Sequence, residues 1–440
     1  MRNMIFMVML LILFNSSLFS QLKNKNNPEA IAKQFIEKLS NGEYEIAYNY
    51  FDNIVKNQFK LPQLEGLWQM LKALHGDFES ITNVEGSNYL DNRIVILTTS
   101  FNLSIVKFRI VVNADGLIIG FVIDSVTSKK PYSPPEYADT TNIIEIPTEF
   151  GEEGFKLKGI ITIPKNKDNY PLLILVHGSG PQDMDESFGP NKIFKDIALG
   201  LASKGIAVFR YEKRTKVHGE KIGTDIDIDK ETVDDAVLAV KHISEQKSIN
   251  PTKIFLLGHS LGGYMAPKIA QRAKELSGII LMAGSLSPLE DLILMQIRYL
   301  AEIKGEPSQE EIDNINKISR QREFLKKSNL ADDTPVDSLP LGVPPSYWRS
   351  LRNYQPDIVA KQIDTPMLVL QAEMDYQVPQ SEFEKWGKAL SGRKNTDFVM
   401  LKGLNHLFMK SEHKGYEDYF KEGHVSNDLI QTVGDWILKK

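Results

Sequence analysis

Gly258-His259-Ser260-Leu261-Gly262-Gly263 is the segment of this chain best suited to chemistry. It follows the short apolar run Lys253 to Leu257 and precedes an apolar-periodic stretch carrying Met265, Ile269 and Ala270. A strand, a glycine turn and a helix are the surroundings of a nucleophile elbow. There the serine stands on a strained turn with its hydroxyl exposed, and side chains two residues either side would clash unless they are glycine. A serine hydroxyl is a weak nucleophile at neutral pH. It needs a base, a group to orient that base, and donors for an oxyanion. Of the eight histidines, His406 in Gly403-Leu404-Asn405-His406 directly follows the last expected strand, where a glycine-containing loop can carry an imidazole back over the sheet edge. His413 and His424 are the alternatives. His259, beside the serine, points the wrong way for a base and is read as packing within the elbow. The acid is expected after a strand lying between Ser260 and His406. Met367 to Gln371 is that strand, Asp375 lies just beyond it, and Glu373, two residues earlier, is the rival. The oxyanion needs two backbone N–H groups. Leu261, after the nucleophile, supplies one; Ser179, in His177-Gly178-Ser179-Gly180-Pro181 after the run Leu172 to Val176, supplies the other.

These residues require a scaffold, and the pattern from about 142 to 440 provides one. Strands at 143–147 and 155–163 precede an alternation of apolar strands (172–176, 206–209, 253–257, 279–282, 367–370, 397–401) with helices at 193–202 and 231–243. Continuous apolar strands separated by helices imply a mostly parallel sheet covered on both faces. Ser426 caps a last helix carrying Leu429, Ile430, Val433, Trp436 and Ile437. The segment from about 285 to 363 is too long for a connecting loop, so it is expected to be an inserted helical cap. Its run Leu289 to Leu300, with Tyr347-Trp348, is expected to shape an apolar acyl or alcohol pocket.

Ahead of this, residues 28–127 place helices first (28–39, 43–51, 61–74) and strand-like runs after, with Asn113-Ala114-Asp115-Gly116 as a hairpin signal. That order suggests a small α+β domain. Trp68 and its apolar neighbours are read as core. Residues 128–141, stiffened by Pro131, Pro134 and Pro135, are read as a linker.

The glycine loop at 177–180, the elbow at 258–262 and the chain order Ser260, Asp375, His406 resemble the α/β-hydrolase superfamily over roughly residues 140 to 440. More narrowly, they resemble bacterial serine esterases and catalytic domains of the dienelactone-hydrolase or prolyl-oligopeptidase type. Residues 28–127 are similar in element order to the nuclear-transport-factor-2-like domain that precedes some such hydrolases. The resemblance implies an α/β-hydrolase sheet with a cap and an acyl-enzyme mechanism. Pro267 departs from the pattern and should kink the elbow helix or remove one of its hydrogen bonds.

The remaining features set bounds. With 52 basic and 57 acidic residues the net charge is −5, which offers no basic footprint for nucleic acid. There is no cysteine, so disulfides, thiolate catalysis and thiolate-held metals are excluded. Arg2, the apolar run Met4 to Phe14, the break Asn15-Ser16-Ser17 and the small Ser20 read as a secretory signal peptide over 1–20, too short to span a bilayer. The mature protein is then expected to be periplasmic or secreted, without stable membrane insertion. Arg210-Tyr211-Glu212-Lys213-Arg214, at a strand's carboxyl end, is read as an ion-pair network before a ligand site, and Asp183 with Asp185 lacks the glycine and distal glutamate of a calcium loop. The expectation is an exported serine hydrolase acting on small-molecule carboxylic esters without a cofactor. A peptidase or thioesterase with the same triad is the first alternative; a non-catalytic ligand-binding protein is the second. About a hundred residues ahead of the sheet cannot build the propeller of a prolyl oligopeptidase, which favours the esterase.

Overall fold

The structure, a computed structural model, describes residues 27–89, 91–165, 169–223, 226–246, 253–303, 305–352 and 354–440; segment 1–20, which the sequence reads as a signal peptide, lies outside the described residues. The chain divides into two compact units at Tyr132/Ser133.

The first unit begins with α1 (Pro28–Ser40), which Asn27 caps by accepting the N–H groups of Glu29 and Ala30. Its stripe Ile31, Ala32, Phe35, Ile36 and Leu39 is buried. The short helices α2 (Tyr44–Tyr48) and α3 (Asn53–Gln58) and the longer α4 (Leu61–His75) follow. Strands β1 (Phe78–Tyr89), β2 (Asn92–Phe101), β3 (Ser104–Val112) and β4 (Ile118–Ser128) form an antiparallel sheet in chain order. Asn113 shapes the β3–β4 hairpin by accepting the N–H groups of Asp115 and Leu117, and Gly116 takes the left-handed φ of 79° that the turn demands. Trp68 is buried in the aromatic core, stacked on Phe108.

The second unit is built on an eight-stranded sheet. Its strands are β5 (Ile143–Phe150), β6 (Leu157–Pro164), β7 (Leu172–Val176), β10 (Ala207–Tyr211), β11 (Ile254–His259), β12 (Leu276–Met282), β13 (Met367–Ala372) and β14 (Thr396–Leu401), with a small hairpin of β8 (Ser187–Phe188) and β9 (Asn191–Lys192) outside it. The spatial order is β14-β13-β12-β11-β7-β10-β6-β5. Only β6 runs against its neighbours β5 and β10; the other pairings are parallel. This is the mostly parallel sheet that the apolar runs imply. Side chains of β7 alternate between two layers. Leu172, Ile174 and Val176 join the core with α8 (Asp234–Ser244) and α9 (Leu261–Arg272). Leu173 and Leu175 join the core with α5 (Ile193–Ser203) and α15 (Asn427–Lys439). Each buried leucine or isoleucine contributes about 1.5–3 kcal/mol of transfer free energy. The one-turn helices α6 (Arg214–Val217) and α7 (Gly219–Ile222) follow β10, and α14 (Gln380–Ala389) lies between β13 and β14.

Between β12 and β13 the chain inserts α10 (Leu289–Glu302), α11 (Gln309–Lys327), α12 (Pro345–Arg352) and α13 (Pro356–Gln362). Tyr347 and Trp348 of α12 are cap aromatics. Both are buried within the apolar core that also holds side chains of α8 and α9. Helix α9 runs on through Pro267 to Arg272, so the proline removes a donor without ending the helix.

Candidate active site

Ser260 links β11 to α9 with φ 53° and ψ −113°. A non-glycine residue in this region stores about 1–3 kcal/mol of backbone strain, and the turn leaves the side chain half-buried rather than covered. The flanking glycines are sterically required. A Cβ on Gly258 would lie 2.1 Å from the Gly262 carbonyl oxygen, and one on Gly262 would lie 2.3 Å from that of Val176. Gly263 and Gly284 pack backbone to backbone. The Ser260 N–H donates to the Met282 carbonyl at 2.9 Å, which ties the elbow to β12. Helix α9 starts at Leu261, so its positive end lies against the serine.

His406 stands on the loop after β14. Asn405 organises that loop: its Oδ1 accepts the N–H groups of Leu407 and Met409, and Phe408 adopts φ 56°. The His406 Nδ1 lies 2.7 Å from Asp375 Oδ2. Asp375 is buried, and its Oδ1 accepts the N–H groups of Gln377 and Val378 at 2.8 and 2.9 Å. An acceptor-only carboxylate at Nδ1 places the neutral ring's hydrogen there and leaves Nε2 bare to act as a base. Glu373 lies elsewhere, with Oε2 accepting the Gly403 N–H at 2.9 Å. His413 is exposed and His424 pairs with Asp196. Among the described residues Ser260 Oγ makes no hydrogen bond to the His406 ring. The two are linked through His259, whose ring centroid lies 4.7 Å from that of His406.

The loop after β7 lies against the nucleophile, since a Cβ on Gly178 would be 3.3 Å from Ser260 Cβ. Its polar groups are fixed from below. Gly178 N–H donates to Glu186 Oε1 at 2.7 Å. Lys213 Nζ donates to the Gly178 carbonyl and to Glu231 Oε1, each at 2.7 Å. Gly180 N–H donates to the same Glu231 oxygen at 3.1 Å. The N–H groups of Ser179 and Leu261 have no hydrogen-bond partner among the described residues, the condition an oxyanion site requires. His177 donates through Nε2 to the Asp183 carbonyl, and burial pushes its imidazole down to about 4, so it is neutral at pH 7.

The 210–214 segment is the ion-pair network its composition suggests. Buried Arg210 pairs with Glu145 and Asp185, Lys213 with Glu231, and Arg214 with Asp235. Asp185 is thereby engaged, and Asp183 Oδ1 accepts the N–H groups of Asp185 and Ser187. Glu186, Glu231 and Asn405 support the site without having been singled out from the sequence. No motif marks them; Glu231 is carried inward by a π-helical turn, Asp229–Val233, that precedes α8.

Sheet order, elbow and loop placement define an α/β-hydrolase of the serine hydrolase class. Residues 172–413 match the family described as serine aminopeptidase, S33, and the chain belongs to that family. Residues 32–121 match a family described as a protein of unknown function, DUF3887. The Esterase EstD of Thermotoga maritima is 37% identical over 410 residues, covering 92% of this chain and 94% of that protein. Among solved structures, Est1E from Butyrivibrio proteoclasticus is similar at 17% identity, covering 67% of this chain and 98% of that one with a TM-score of 0.44. The acylaminoacyl peptidase of Pyrococcus horikoshii is similar at 14% identity, covering 74% of this chain and 52% of that one with a TM-score of 0.45.

Proposed function

We propose that this serine hydrolase is an exported esterase that cleaves small-molecule carboxylic esters through an acyl-enzyme on Ser260, His406 and Asp375. The observation that carries the reading is the 2.7 Å bond between His406 Nδ1 and Asp375 Oδ2, on loops that follow β14 and β13 of the same sheet whose β11 leads into the Ser260 elbow. His406 Nε2 takes the Ser260 proton as Oγ attacks the ester carbonyl carbon. The resulting oxyanion accepts the N–H groups of Ser179 and Leu261. His406 then returns the proton to the departing alkoxide, the alcohol leaves, and the acyl group stays on Oγ. Water, deprotonated by the same ring, attacks the acyl carbon, and the acid departs as Ser260 regains its proton. Asp375 holds the tautomer and stabilises the transient imidazolium. No step needs a cofactor.

The esterase name of a relative matched over nearly its whole length supports ester substrates. The family description supports a peptidase as the second reading. Turnover of p-nitrophenyl acetate and longer acyl esters, set against a panel of peptidyl amides, decides between them. Wild type is expected to favour esters, with Ser260→Ala inactive; equal slow rates for the two proteins would sink the mechanism, and efficient amide cleavage would replace the esterase by a peptidase. Export through residues 1–20 is tested by whether the mature chain leaves the cytoplasm and starts at about Gln21.

A further inference from the structure

Glu186 and His259 form a buried pair that no step above uses. They are 5% and 3% exposed. Glu186 Oε2 lies 2.9 Å from His259 Nδ1, and Glu186 Oε1 accepts the Gly178 N–H. His259 Nε2 lies 2.9 Å from the backbone carbonyl oxygen of His406. A carbonyl oxygen only accepts, so Nε2 carries a hydrogen. A carboxylate only accepts, so Nδ1 carries one too. A ring with hydrogen on both nitrogens is a cation. The competing assignment moves one proton onto Glu186 and leaves Nδ1 bare. The Gly178 N–H opposes that, because a donor already aimed at the carboxyl favours its ionised form.

The pair also touches every moving part of the site. Gly178 precedes the oxyanion donor Ser179, His259 precedes the nucleophile Ser260, and the accepted carbonyl belongs to His406. We propose that Glu186 and His259 are positioning residues: a buried carboxylate–imidazolium strap that fixes the spacing of the oxyanion loop, the nucleophile and the base loop. Its catalytic consequence rests on the esterase reading; its charge state does not. Charge-assisted hydrogen bonds are about twice as strong as neutral ones, which suits a strap joining three separate loops. Glu186 holds a left-handed φ of 47° to make it.

The charges facing the pair are few. Glu186, His406 and Asp375 face His259, while His177 faces Glu186 and Lys213 lies beyond it on the Gly178 carbonyl. Burial opposes the His259 cation, but Glu186 outweighs it and holds the imidazole above its ordinary value.

The test is nitrogen NMR of wild type labelled with 15N-histidine, with His259 assigned through Gly258 and Ser260. Both of its ring nitrogens are expected to be protonated at pH 8. Glu186→Gln keeps an acceptor for Gly178 and offers an amide donor to Nδ1, so the contact survives as a neutral one. In that variant the imidazolium signal is expected to vanish and kcat to fall between about 10- and 100-fold with KM little changed. A merely structural role would lower the melting temperature and leave kcat and KM of the folded enzyme in place. A neutral His259 in wild type at pH 8, or a Glu186→Gln enzyme with unaltered kcat, overturns the proposal. Wild type that shows the imidazolium yet hydrolyses no ester overturns the esterase reading and the catalytic half of the strap, and supports its charge state.

Discussion

Glu373 and Gly403 are joined by a 2.9 Å hydrogen bond from the Gly403 N–H to Glu373 Oε2, which occupies the rival carboxylate and leaves the His406 ring to Asp375. Two acids separated by one residue therefore do different work: one pins the loop that carries His406, the other holds the His406 ring. Asp375→Asn is expected to lower kcat on a p-nitrophenyl ester by about 10³–10⁴-fold, because an amide stabilises the wrong tautomer. Glu373→Gln keeps an acceptor for the Gly403 N–H and is expected to stay within about tenfold of wild type. Steady-state kinetics of the two variants check the assignment, and the reverse order would exchange the roles.

The strained backbone at Ser260 separates stability from activity. Ser260→Gly relieves the left-handed φ of 53° and is expected to raise unfolding stability by about 1 kcal/mol, after the entropic cost of glycine, while abolishing turnover. Urea midpoints report the first effect and ester assays the second.

Lys213 and Glu231 are both almost fully buried, so removing one strands the other. Lys213→Met is expected to cost about 3–5 kcal/mol. It also frees the Gly178 carbonyl and loosens the oxyanion loop, so kcat should fall. Adding Glu231→Gln removes the stranded charge and should restore part of the stability but not the activity. Urea unfolding of the two variants, each with its kcat, tests this.

His177 predicts an acid-side loss of stability. Its folded value of about 4 lies below the ordinary 6.5, so between these values the unfolded chain binds a proton that the folded one excludes. Stability is therefore whole above about pH 6.5 and declines toward pH 4, by up to about 3 kcal/mol. His177→Gln cannot titrate and should flatten that part of the pH–stability curve measured by urea unfolding.

Much of this architecture was legible because it is written in local patterns. The apolar runs at 172–176 and 367–370 mark strands buried on both faces, and both are. The glycines around Ser260 mark a turn that tolerates no Cβ. The strap was not legible, and the ion pairing read at 210–214 did not reveal its partners, because Glu186 and Glu231 meet the glycine loop only through tertiary packing. His259 shows the limit most clearly. Its neighbours in sequence suggest filler for the elbow, whereas its two hydrogen bonds go to Glu186 and His406, 73 and 147 residues away. The cap aromatics Tyr347 and Trp348 show a related limit: their sequence does not say whether they face a cavity or a core. For Tyr347, burial and the facing Glu231 carboxylate push the phenol well above its ordinary value.

The segment read as a linker is not uniform. Residues 133–141 fall within the second unit. The Tyr137 hydroxyl donates to the Val425 carbonyl, just ahead of the Ser426 cap of α15, and the Asp139 N–H reaches Ser203 Oγ at the end of α5. A hydrolase shortened to begin at residue 142 would lose the latch that fastens its final helix, whereas one begun at 133 keeps it. Proteolytic trimming in the tether up to Tyr132 would then spare this latch, whereas trimming a few residues later would remove it.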